Sequence, residues 1–86
     1  MEDTIVLREF ENLARRLGID IRYTNEGPSG LCTIKDKKVL FIDKTLNSEN
    51  RIEVFVREFK TLDIEGVFVV PVIRRLLELN DEANGW

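Results

Sequence analysis

The side chains here whose types and spacing could do chemistry are few. They are one thiol, Cys32, two carboxylate pairs, Glu53 with Glu58 and Asp43 with Glu49, and four lysines, Lys35, Lys37, Lys38 and Lys44. None of the 86 residues is histidine. Histidine is the commonest metal ligand and the usual general base near neutral pH. Its absence removes most zinc-hydrolase, Ser-His-Asp and Cys-His chemistry, and the sequence predicts no metal site, no cofactor and no enzyme. Cys32 has no neighbouring base to deprotonate it, so it reads as a small core residue sharing a face with Ile34. Glu53 and Glu58 are five apart, which sets them about 140° from each other round a helix. They do not converge as an acid–base pair must.

The lysines would suit phosphate contacts. A net charge of −3 weighs against nucleic acid, which calls for a basic excess or a dense basic stripe. Phe41, the nearby aromatic, falls in an apolar strand and is expected in the core, so no stacking platform accompanies Lys35, Lys37 and Lys38. The cluster reads as a charged edge that blocks aggregation. A nucleic-acid-binding accessory domain using these lysines stays as the alternative, beside a homodimeric structural protein. The glycine-containing loop at 25–30 lacks the Gly-x-x-x-x-Gly-Lys spacing of a phosphate cradle, and no helix follows it.

Behind these residues, the longest amphipathic segment is 46–62, LNSENRIEVFVREFKTL. Ile52, Phe55, Val56, Phe59 and Leu62 follow the i, i+3, i+4, i+7 rule for one buried helix face. Asn47 or Ser48 can cap its start. A first helix is expected over 3–17, capped by Asp3 or Thr4. Val6, Phe10, Leu13 and Leu17 face inward, Arg15 and Arg16 suit the negative end of its dipole, and Gly18 closes it. Residues 19–24 alternate as a half-buried strand. Residues 31–35 and 38–43 read as a hairpin turning on Asp36-Lys37. Its second strand is apolar on both faces and therefore central. The run 67–70 is ambiguous between a strand and a buried extended segment. Pro71 opens a last helix with Val72, Ile73, Leu76, Leu77 and Leu79 as its apolar face.

The predicted fold is α+β: helix, strand, β-hairpin, helix, helix, with a three-stranded, mostly antiparallel sheet packed on helices. One domain covers 1–79, followed by a polar tail at 80–86 in which Trp86 either tucks back onto the body or meets a partner. A single cysteine precludes an internal disulfide, and no apolar run approaches a membrane span. The opening Met1-Glu2-Asp3-Thr4 is acidic where a secretory signal is basic. The expected location is the cytoplasm, away from membranes.

The run Ser29-Gly30-Leu31 leads into a strand, Val39-Leu40-Phe41-Ile42-Asp43 forms the next, and Leu46-Asn47-Ser48-Glu49-Asn50-Arg51-Ile52 enters a helix. This arrangement resembles the ImmA/IrrE-type metallopeptidases over roughly 10–62. In that family the helix carries a zinc-binding His-Glu-x-x-His. Registering the helices places Glu58 at the general-base position and Arg57 and Thr61 at the two ligand positions. A guanidinium cannot ligate zinc, a threonine hydroxyl is a poor ligand, and the third ligand has no counterpart. The resemblance therefore implies a shortened, non-catalytic relative. Such domains often accompany DNA-binding regulators, which implies a protein-interaction or regulatory role. The expected contact surface is an exposed sheet edge or the outer face of the second helix, with Arg57, Glu58 and Thr61 as candidate binding residues and a protein partner or self-association.

Overall fold

A computed structural model describes residues 2–64 and 66–79. The chain runs α1 (Asp3–Arg16), β1 (Asp20–Thr24), β2 (Gly30–Ile34), β3 (Lys37–Asp43), α2 (Ser48–Phe59) and α3 (Pro71–Leu76). The α+β order is the one the hydrophobic periodicities predict. The expected polar tail and the position of Trp86 lie outside the described residues.

The helices begin and end for local reasons. The Asn47 side chain accepts the Asn50 backbone N–H at 2.9 Å and so caps α2. The cap expected from Asp3 or Thr4 is absent; Glu2 holds the N-cap position of α1 without a side-chain hydrogen bond. At the other end of α1, Gly18 takes φ +75°, and Ile19 N–H reaches back to the Ala14 carbonyl at 2.9 Å. That is the Schellman closure, which needs a left-handed residue. Pro71 starts α3, where its missing N–H is harmless.

The sheet has the order β1-β3-β2. β3 is central and paired on both edges, as its two apolar faces require. β2 pairs with it antiparallel and β1 pairs with it parallel, so the sheet is mixed. The loop after β1 crosses the end of β3, where Asp43 N–H donates to Ser29 Oγ at 2.8 Å. Lys44 N–H donates to the Thr24 carbonyl and prolongs the β1 pairing by one bond. The hairpin turns on Lys35-Asp36, one residue earlier than expected. Both have positive φ, 51° and 69°, and Ile34 pairs with Lys37 across the turn. This type I′ geometry matches the twist of the strands. The strand register decides the turn: with Leu31 opposite Leu40, Ile34 falls opposite Lys37 and leaves Lys35 and Asp36 as the two turn residues. Replacing Lys35→Asn together with Asp36→Gly should stabilise the chain by about 0.5–1 kcal/mol. A thermal midpoint higher by several degrees would show it; no rise would mean the turn strain is already relieved.

Helices α1 and α2 pack on one face of the sheet, and α3 packs against α1. Phe10, Leu13, Phe55, Phe59 and Ile73 form one core cluster with Leu40 and Ile42. The three phenylalanines meet directly. Phe10 stacks on Phe55 with ring centres 5.0 Å apart, and Phe59 stands edge-on to both at 5.7 and 5.6 Å. Val54 is also buried, which widens the α2 face beyond the expected stripe. Residues 67–70 form no strand. Val69 is buried, while Phe68 projects outward with the Arg16 guanidinium 5.7 Å from its ring centre.

Candidate functional site

The predicted site on α2 becomes a structural joint. Glu58 Oε1 accepts the Leu31 backbone N–H at 3.2 Å, and Oε2 accepts from Arg57 Nε at 2.9 Å. The Thr61 hydroxyl donates to the Glu58 carbonyl at 2.6 Å. Arg57, Glu58 and Thr61 are thus adjacent, and Glu58 faces the edge of β2, while Arg57 also borders a shallow, open depression with Pro28, Leu46 and Asn50. Glu58 blunts that edge by occupying an outward N–H that would otherwise invite another strand. Glu58→Ala should cost about 1–2 kcal/mol, because it leaves a half-covered N–H without its acceptor. Glu58→Gln keeps an acceptor and should stay within about 0.5 kcal/mol of the parent. Urea midpoints separate the two; equal losses would assign the role to the charge instead.

Lys35, Lys37 and Lys38 sit together at the hairpin turn and are exposed. They do not share a face, since Lys37 and Lys38 are neighbours on one strand and point to opposite sides. Lys44 is not with them. It follows the far end of β3, about 20 Å away at a strand's rise per residue. Of the carboxylates, Asp43 is engaged in a turn. Its Oδ1 accepts the Thr45 N–H and hydroxyl at 2.9 and 2.8 Å, and these bonds hold its carboxyl below the usual aspartate pKa.

A polar cluster that sequence spacing did not reveal lies at the C-terminal end of β1. The Tyr23 hydroxyl donates to Glu11 Oε2 on α1, and the Arg51 guanidinium lies 5.1 Å from the Tyr23 ring centre. Arg51 also donates through Nε to the Leu46 carbonyl at 3.0 Å and through Nη2 to the Lys44 carbonyl at 2.8 Å. The three residues are 12 and 28 positions apart in sequence, so no local pattern joins them. Burial, and then the Glu11 carboxylate, push the Tyr23 phenol above its ordinary pKa, with Arg51 opposing. A raised pKa means the folded state holds this proton more tightly. The contribution to stability is complete below about pH 10 and is lost above it. Between about pH 9 and pH 11 the urea midpoint should fall further for the parent than for Tyr23→Phe.

The other face of the sheet carries no helix among the described residues. Alternation and register place Val39 and Phe41 of β3 there, with Asp20 and Arg22 of β1 and Cys32 and Ile34 of β2 beside them. Val39 is buried by its strand neighbours yet stands outside the core cluster. Phe41, expected in the core, is half-buried on this face. Cys32 was expected inside as well. It is exposed and unpaired with another thiol, and Ile34 beside it is 47 % exposed. The cause is the register: Leu31 lies opposite Leu40 and takes the helix-side position, so Cys32 and Ile34 must point away.

Among the described residues no helix is long and apolar enough to cross a membrane. Compared with protein-family models, curated proteins and solved structures, the chain matches none.

Proposed function

We propose that this chain is a non-catalytic protein-interaction module whose contact surface is the helix-free face of the sheet. The observation that carries this reading is the apolar strip of Phe41, Cys32 and Ile34 on a face that no helix covers among the described residues. An exposed apolar strip rimmed by charges is what a docking surface looks like. The non-catalytic reading is supported by Glu58, both of whose carboxylate oxygens are engaged structurally. The same order of helix, strand, hairpin and helix is in keeping with a reading of the chain as a non-catalytic relative of the ImmA/IrrE-type metallopeptidases. A free, exposed thiol at Cys32 suits a reducing cytoplasm.

The test is affinity capture with immobilised chain. The bait is the parent or Ile34→Lys, and the challenge is a cell lysate supplemented with an epitope-tagged copy of the chain. Protein retained by the parent at both low and moderate salt, and lost from Ile34→Lys, is the expected result. Nucleic acid retained only at low salt would replace this reading with one based on Lys35, Lys37 and Lys38, because phosphate contacts weaken steeply with salt.

A further inference from the structure

The helix-free face has a charge pattern with a symmetry of its own. Its central strand reads Lys37, Val39, Phe41, Asp43 along one side, positive at one end and negative at the other. On β1, Asp20 is level with Val39 and Arg22 is level with Phe41. On β2, Cys32 is level with Val39 and Gly30 with Phe41. The level midway between these rows is that of Leu40, with Ile21 and Leu31 beside it.

We propose that the occupant of this face is a second copy of the chain, related by a two-fold axis that runs across the strands at the level of Leu40. This rests on the interaction reading above and names its partner. That axis lays β3 antiparallel over β3 of the other copy. Lys37 then meets Asp43, Val39 meets Phe41, and Asp20 meets Arg22, each pair occurring twice. Every one of these four charged residues faces an opposite charge, and Val39 and Phe41 face one another between them, while Ile34, level with Lys37, overhangs the end of β2 in the other copy. The Cys32 side chain meets Gly30, whose lack of a side chain leaves it room. The alternative two-fold axis, along the strands, superposes Lys37 on Lys37 and Asp43 on Asp43. Like charges in register oppose it.

An isologous contact must be self-complementary, and this face is so in one orientation only. Sheets stack about 10 Å apart and within about 30° of parallel, which keeps the central rows in register. Within each copy the Arg22 Nη2 to Asp20 Oδ2 distance is 3.4 Å, with both side chains open to solvent. Stacking converts these two ion pairs into a four-charge ring. The face is about 14 Å wide across three strands and about 23 Å long. That is small for a stable dimer, so the expected dissociation constant is about 10–100 µM.

Sedimentation equilibrium from about 5 to 500 µM tests this range. The parent should move from monomer to dimer. Asp20→Arg alone and Arg22→Asp alone each create like-charge pairs across the axis and should weaken the dimer at least about tenfold. Both side chains are open to solvent, and circular dichroism checks that the variants fold. An equimolar mixture of the two variants should recover the dimer, one chain of each, because one now carries two positive charges on β1 and the other two negative. A parent that stays monomeric throughout overturns the proposal, as do single variants that dimerise like the parent or a mixture that recovers nothing. If the capture experiment nevertheless retains a different protein through Ile34, the docking face stands and only the second copy is wrong.

Discussion

Phe10→Ala should cost about 3–5 kcal/mol, the range for emptying a well-packed aromatic site. A chain of this length has about 4–13 kcal/mol in total at the usual stability per residue, so one ring takes about a quarter of the margin or more. Phe10 is fully buried and meets both Phe55 and Phe59 ring to ring. Each aromatic pair adds about 0.5–1.5 kcal/mol beyond the area it buries. The remaining phenylalanines still contact each other edge-on, so the cavity opens between α1 and α2 and cannot be filled by either ring alone. Phe10→Leu keeps most of the volume and should cost less than about 1.5 kcal/mol. Phe68, which is 66 % exposed, is the control. Phe68→Ala should cost less than about 1 kcal/mol, the value of an exposed cation–π contact with Arg16. Urea midpoints for the three variants check the order. A Phe10→Ala loss below about 1 kcal/mol would mean that the α1–α2 interface is not the keystone of the core.

Much of this core was legible because it is written in local periodicity. The stripe Phe55, Val56, Phe59 identifies the inner face of α2 whatever lies opposite. Asn47 and Gly18 announce helix ends through side-chain and backbone chemistry that acts within a few residues. The double-faced apolarity of Val39, Leu40, Phe41 and Ile42 places β3 in the centre of the sheet without reference to its neighbours. What was not legible depends on partners distant in sequence. Alternation in β1 reports which side chains share a face and says nothing of strand direction, so the parallel pairing with β3 could not be read. Leu31, Cys32, Thr33 and Ile34 alternate equally well with either set inward, and only the pairing of Leu31 with Leu40 decides it. The same limit hid the site. Motif registration pointed to Arg57, Glu58 and Thr61, which brace an edge, whereas the open face is assembled from three strands that no contiguous motif spans.

Arg51→Ala should destabilise the chain by about 2–3 kcal/mol, an unusual loss for a partly exposed arginine. The value of this side chain lies in main-chain contacts rather than in an ion pair. Its guanidinium bridges two carbonyls, those of Lys44 and Leu46, that lie on the connection between β3 and α2. Hydrogen bonds from a charged donor contribute about 1.5–3 kcal/mol, and the Tyr23 ring adds about 0.5–1 kcal/mol. The planar fork is what allows both carbonyls to be reached while one flat face rests on the ring. Lysine offers a single ammonium on a flexible stem and cannot do all three. Arg51→Lys should therefore recover no more than about half of the loss, although the charge is unchanged. Asn47 still caps α2 in both variants, so the helix persists and the damage is confined to how it is joined to the sheet. Amide exchange should rise at residues 44–47 in step with the fall in urea midpoint, while residues of α1 exchange as before. Arg51→Lys with full parental stability would show that charge alone suffices, and the two carbonyl bonds would then lose their place as the joint that sets α2 against the sheet.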